Sequence, residues 1–168
     1  DRWLAHVIEM LEKTGQLEDT LVVVFGDHGE DLSGWYSNDK GGEDLGHPEE
    51  LGHGCLLFEQ TQHVPLVFSH PMLPVGSLDG LVGLIDVAPT VLDLLGVDEL
   101  PETNGIDLSR YLRGKASLPA RKLYAETLYP EELGENDPSQ KGVPSLQAIW
   151  LDEHRKVIRP YGDSSKLR

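Results

Sequence analysis

The feature that most constrains this chain's fold is a run of five apolar residues at 21–25, the longest such run in the sequence. Three of the five are β-branched, which is typical of a strand buried on both faces of a sheet. The preceding residues 1–14 carry apolar side chains at helical spacing, and Gly15 suits the end of a helix. A helix followed at once by a buried strand predicts an α/β domain with a mainly parallel sheet flanked by helices.

Two later segments extend this prediction. Residues 64–68 form a second strand candidate, in which Pro65 favours an edge position because it cannot donate a ladder hydrogen bond. Residues 86–95 are predicted to form a helix that Asp86 caps and Gly96 ends.

The pattern changes in the last third of the chain. Apolar residues there predict three short antiparallel strands, at 122–128, 145–151 and 156–159. We therefore expect two regions, with residues 1–115 forming part of the α/β layer and residues 116–168 forming a small antiparallel C-terminal subdomain.

The charge balance excludes several partners. The 14 Lys and Arg residues stand against 29 Asp and Glu residues, which leaves a formal net charge of −15. Such a surface repels phosphate backbones and anionic lipid, so we expect no nucleic-acid partner. No apolar run is long enough for a membrane span. The acidic excess fits either an ordinary solvated surface or adaptation to high salt.

The residues with the clearest chemistry follow the first strand. Asp27 and His28 come directly after it, between Gly26 and Gly29. In open α/β sheets, ligands bind beyond the carboxyl ends of the strands. A carboxylate beside an imidazole can form half of a divalent-metal site. The same residues also fit a turn with a solvated Asp and His, so both interpretations stay open at this point.

Two further histidines lie next to glycines, His47 within the polar stretch 29–52 and His53 just after it. Each could act as a third metal ligand, as a general acid or as a donor to an anionic group, or be an exposed loop histidine. Lys40, the one cation of that stretch, could meet an anionic substrate or be a solvated charge. Cys55 has no basic neighbour and is expected to pack as a small apolar residue.

The order of these motifs resembles the sulfatase family of the alkaline-phosphatase-like superfamily. The matching segments run through nearly the whole chain and are 19–30, 52–54, 57–59, 64–68, 84–96, 104–114, 124–127 and 148–158. The resemblance implies an alkaline-phosphatase-like fold and a metal-dependent hydrolase that cleaves sulfate esters.

The resemblance also implies roles for individual residues. Asp27 and His28 match the second pair of metal ligands, and His53 matches the residue that faces the leaving-group oxygen, with His47 a second candidate for that position. The ion could be Ca²⁺, Mg²⁺, Mn²⁺ or Zn²⁺, and a histidine ligand shifts the preference toward the last two. The substrate is expected to be a small anionic ester.

The family's nucleophile lies in a Cys- or Ser-x-Pro-x-Arg motif. We expect this chain to lack that motif, since Cys55 has neither the Pro nor the Arg. The resemblance therefore implies a C-terminal portion that needs the missing N-terminal part of the same protein. Taken alone, the chain is expected to be inactive and to self-associate through its exposed sheet edge and apolar surface. The alternative activity is that of a phosphodiesterase or phosphonate monoester hydrolase of the same superfamily.

Overall fold

The computed structural model describes residues 1–30, 53–54, 56–98, 101–128 and 145–161. The chain divides into two compact units. Unit 1 comprises Asp1–Phe25 and Pro65–Pro119, and unit 2 comprises Gly26–Val64 and Ala120–Arg168. The predicted domain boundary between residues 115 and 116 stays a prediction.

Unit 1 begins with the predicted amphipathic helix. Helix α1 spans Arg2–Thr14 and ends at Gly15, whose positive φ of 69° is the left-handed conformation that glycine adopts without a steric penalty. None of its residues is buried, and Trp3 is 78% exposed. The apolar face of α1 is therefore only partly covered by the described residues, with Ile8 and Leu11 half-buried and Leu4 and Val7 exposed.

The two strands of unit 1 pair with each other. Strand β1 spans Val22–Phe25, and strand β2 spans Leu66–Ser69. They pair antiparallel, with Val22 opposite Ser69 and Phe25 opposite Leu66. The described residues thus contain no parallel pair, so the mainly parallel sheet is not seen here. Burial of β1 on both faces was also expected, but Phe25 is 47% exposed because β2 is its one neighbour in the described sheet.

The helical part of unit 1 is organised around a buried carboxylate. Helix α3 spans Val87–Leu95 and ends at Gly96, as predicted, and helix α4 spans Ser109–Leu112. The side chain of Asp86 does not cap α3. It is fully buried and accepts hydrogen bonds from the backbone N–H groups of Gly83 and Ile106, at 2.9 and 2.8 Å. Asp86 therefore joins two loops that are distant in sequence.

Unit 2 contains the short helix α2, Glu59–Gln62, and a three-stranded antiparallel sheet. Its strands are β3 (Leu123–Thr127), β4 (Leu146–Trp150) and β5 (Lys156–Pro160), in the spatial order β3-β4-β5. This confirms the predicted small antiparallel C-terminal sheet.

Within the described ranges, none of the helices combines the length and the apolar character that a membrane span needs.

Candidate active site

A tight turn after β1 holds the first two candidate residues, Asp27 and His28. The N–H of Gly29 donates to the carbonyl of Thr61 in α2, at 2.9 Å. A Cβ atom on Gly29 would lie 2.0 Å from the carbonyl oxygen of Gln60, far inside van der Waals contact. Only glycine therefore lets this turn lie so close to α2.

The ring of His28 is oriented by its own turn. Its Nδ1 lies 2.8 Å from the carbonyl oxygen of Gly29. A carbonyl can only accept, so Nδ1 carries a proton, and in the neutral ring Nε2 is the atom with the lone pair. That Nε2 lies 3.7 Å from Oδ1 of Asp27, whose side chain is 86% exposed.

This donor set fits a divalent cation. Two ligands of one ion commonly lie about 3 to 4 Å apart, which is the separation of His28 Nε2 and Asp27 Oδ1. Metal-binding histidines also usually donate their second ring N–H to a carbonyl or carboxylate, as His28 does to Gly29. Asp27 and His28 can therefore hold an ion without a change in the histidine's tautomer.

His53 lies beside His28. The two imidazole rings stack, with centroids 3.5 Å apart and planes at 21°. The next residue, Gly54, has a positive φ of 106°, and its carbonyl accepts a hydrogen bond from the hydroxyl of Thr127 in β3. The C-terminal sheet of unit 2 thus anchors the segment that carries His53.

Glu30 completes the cluster, although the sequence reasoning assigned it no role. Its Oε2 lies 3.0 Å from Nδ1 of His53 and 3.9 Å from Nδ1 of His28. One ligand atom from each of these three residues lies within 4.8 Å of the others, so they also could hold an ion. The available signal was the position of Glu30 two residues after His28, beyond a glycine that lets the chain turn back.

Several candidate residues lie outside the described residues. They are His47, Lys40 and Cys55, together with the polar stretch 31–52. Their predicted roles stay predictions.

The nucleophile pattern does occur once in this chain, contrary to the expectation that the chain lacks it. Residues 117–121 read Ser-Leu-Pro-Ala-Arg. Ser117 is exposed and lies in an irregular segment between α4 and β3, where no helix begins. The resemblance implies a nucleophile upstream of Asp27 and His28, whereas Ser117 lies after them in the sequence.

A family model for sulfatases matches residues 1–97, more than half of the chain. The matched range contains Asp27, His28, Glu30 and His53.

Named relatives point the same way. The chain is 35% identical over 107 residues to arylsulfatase K of Danio rerio, covering 63% of this chain and 17% of that protein. It is 28% identical over 124 residues to N-acetylglucosamine-6-O-sulfatase of Bacteroides thetaiotaomicron, covering 71% and 19%. A further relative is the low-salt glycan biosynthesis sulfotransferase of Haloferax volcanii, at 36% over 107 residues, covering 63% and 24%. The chain thus spans about a fifth of the length of these curated relatives.

Solved structures share the fold. A protein solved in complex with its substrate D-glucosamine-2-N,6-O-disulfate has a TM-score of 0.67 at 24% identity, covering 95% of this chain and 29% of its own. The phosphonate monoester hydrolase of Agrobacterium radiobacter has a TM-score of 0.67 at 22% identity, covering 94% and 30%. These likenesses confirm the α/β class with an alkaline-phosphatase-like fold.

Proposed function

Because the chain belongs to the sulfatase family, we propose that it supplies the metal pair and the leaving-group histidine of an enzyme that hydrolyses sulfate esters. One observation carries this proposal. A carboxylate and an imidazole suited to a divalent cation, Asp27 and His28, lie directly against a second imidazole, His53. A hydrolase needs these two functions side by side, since one stabilises the charge of the ester group and the other serves the departing oxygen.

The metal-binding role belongs to Asp27 and His28. Asp27 would bind through Oδ1, and His28 through Nε2, because its Nδ1–H is already donated to the carbonyl of Gly29. When bound, a divalent cation supplies charge stabilisation to the sulfate oxygens. The nitrogen ligand favours Mn²⁺ or Zn²⁺ over Ca²⁺ or Mg²⁺.

The leaving-group role belongs to His53. Its Nδ1 is hydrogen-bonded to Glu30, so Nε2 is the atom available to donate a proton to the departing alkoxide. Glu30 accepts from Nδ1–H when the ring is protonated, which orients the ring. His47 remains a second candidate for this position.

The nucleophile and the remaining ligands are proposed to come from an N-terminal part of the same protein. The chain's coverage of about a fifth of its relatives supports this. Exposed apolar side chains support it as well, and those on α1, β1 and β2 are Trp3, Leu4, Val7, Met10, Phe25 and Val67. In the complete protein these strands would belong to a mainly parallel sheet. Without that part, the chain is proposed to be inactive and to self-associate.

The substrate class is tested by turnover of matched aryl esters by the complete protein. We expect hydrolysis of an aryl sulfate that exceeds hydrolysis of the corresponding aryl phosphonate monoester and phosphodiester. A reversed order would move the assignment to phosphoryl or phosphonate chemistry on the same scaffold. If the complete protein hydrolyses none of the three esters, the enzymatic proposal is overturned.

A further inference from the structure

Glu59, the first residue of α2, connects this helix to the C-terminal sheet of unit 2. Its Oε1 accepts two hydrogen bonds, from Nε1 of Trp150 at 3.2 Å and from Nζ of Lys156 at 2.7 Å. Trp150 and Lys156 are directly opposite each other in the β4–β5 pair. One carboxylate oxygen is therefore held by both strands of a hairpin.

The ammonium group of Lys156 is closely surrounded in this cluster. The Lys156 side chain is 12% exposed, and its Nζ lies 4.2 Å from the centre of the Trp150 ring. Burial lowers the pKa of Lys156, and the contact with Glu59 opposes that effect. The Glu59 side chain is 60% exposed, so only the lysine end of the pair is enclosed. The enclosed ammonium depends on that carboxylate more than a lysine in a pair exposed at both ends does.

The same helix holds the turn of the candidate active site. Thr61 is 1% exposed, and its hydroxyl donates to the carbonyls of Leu56 and Phe58, at 3.1 Å each. The carbonyl of Thr61 accepts the N–H of Gly29, whose own carbonyl accepts Nδ1–H of His28. A continuous series of contacts therefore runs from the β4–β5 hairpin through α2 to the ring of His28.

We propose that Glu59, held by Lys156 and Trp150, is a positioning residue for the turn that carries His28. Its anchoring of α2 keeps the carbonyl of Thr61 where the N–H of Gly29 requires it. The use of this turn to hold a metal ligand rests on the proposed function. The mechanical link itself can be tested without any activity.

The test is hydrogen–deuterium exchange in the complete protein, followed at the amide of Gly29 and, as a reference within the sheet, at the amide of Ala148. The variants are Glu59→Gln, Lys156→Met and the two combined. The matched control is Asp152→Asn, because Asp152 forms a 2.6 Å ion pair with Arg155 in the β4–β5 turn and does not contact α2 among the described residues.

We expect the Gly29 amide to exchange about threefold to thirtyfold faster in both single variants, with Ala148 unchanged. The combined variant should exchange no faster than the more affected single variant, because both substitutions break one interaction. The control should match the wild-type protein. Equal Gly29 exchange in all proteins, or a rise at Gly29 and Ala148 alike, would overturn the proposal.

The proposed function is judged separately, by sulfate ester turnover. A Gly29 response in a protein that cleaves no sulfate ester would uphold the positioning role and defeat the proposed function. Unchanged Gly29 exchange in an active sulfatase would defeat the positioning role and uphold the proposed function.

Discussion

The imidazole rings of His28 and His53 stack at 3.5 Å, although 24 residues separate them in the sequence. Their outer partners differ, since Nδ1 of His28 faces the carbonyl of Gly29 and Nδ1 of His53 faces the carboxylate of Glu30. The backbone partner accepts Nδ1–H of His28, so Nε2 is the nitrogen that would bind a metal. The carboxylate partner accepts Nδ1–H of His53 and directs its Nε2 away from Glu30. The two adjacent histidines are thus oriented by different groups, a backbone carbonyl for His28 and a carboxylate for His53.

The first prediction concerns metal binding by Asp27. Asp27→Ala should weaken Mn²⁺ binding by at least about tenfold, because it removes the charged ligand of the pair. The measurement is isothermal titration calorimetry with Mn²⁺ alone. Asp79→Ala, which removes an acidic residue of unit 1, is the control for lost negative charge. Equal weakening by both substitutions would show that only net charge matters.

The second prediction concerns His53 as the donor to the leaving group. His53→Ala in the complete protein should lower kcat/KM by about 10²- to 10⁴-fold for esters with poor leaving groups. The loss should shrink as the leaving group improves, because a good leaving group departs without a proton. Turnover of a series of aryl sulfates measures this. His154→Ala, in the exposed β4–β5 turn, should leave every rate unchanged. A loss that does not vary with the leaving group would refute the role of His53.

The third prediction concerns the close approach of Gly29 to α2. Gly29→Ala should lower the free energy of unfolding by about 1–3 kcal/mol, because its Cβ would meet the backbone oxygen of Gln60 at 2.0 Å. Chemical denaturation measures the change. Gly76→Ala is the matched control, since a Cβ there meets nothing within 4 Å, and it should change stability by less than about 1 kcal/mol. Similar stabilities for the two variants would contradict the packing of this turn.

The fourth prediction concerns the alkaline pH dependence contributed by Lys156. Burial lowers its folded-state pKa below the ordinary value of 10.5. Between these two pKa values the unfolded chain binds more protons, so this group makes the free energy of unfolding rise with pH. Below the lowered pKa, the cost of the buried charge is fully present.

Denaturation of wild-type protein and Lys156→Met at increasing pH isolates this contribution. The stability of the wild type relative to the variant should increase as the pH approaches 10.5. A difference that stays constant, or falls, would show that Lys156 keeps an ordinary or raised pKa when folded.

The fifth prediction concerns the net charge of −15. Repulsion within such a surface destabilises the compact state, and salt screens it. Added KCl should therefore raise Tm, with most of the gain below about 0.5 M for an ordinary acidic surface. A gain that continues into molar KCl would indicate adaptation to high salt. A Tm that does not respond to KCl would exclude both destabilising repulsion within the acidic surface and adaptation to high salt.

Local patterns predicted the elements well and their partners less well. The apolar spacing that ends at Gly15 predicted α1, and the apolar segments in the last third of the chain predicted the three-stranded sheet. The antiparallel pairing of β1 with β2 was not predicted, because a short apolar run carries no information about its neighbour's direction. Asp86 was expected to cap α3, but its carboxylate binds the backbone of Gly83 and Ile106, a contact that depends on the tertiary fold.

The candidate site shows the same division. The position of Asp27 and His28 after a strand indicated a metal pair, because that inference needs only neighbours in sequence. The stacking of His53 on His28 and its contact with Glu30 depend on how the chain returns through α2 and β3. Residue spacing carries no signal for such a return. The closeness of Glu30 to His28 in sequence was visible, but its contact with His53 depends on the tertiary fold.

We propose that Asp27 and His28 hold the metal of a sulfate ester hydrolase. The most direct test is aryl sulfate turnover by the complete protein, before and after chelation, with Mn²⁺ added back, and in Asp27→Ala. We predict turnover that is lost on chelation, restored by Mn²⁺ and absent in Asp27→Ala. Turnover that survives in Asp27→Ala, with the protein freed of metal, would contradict the account.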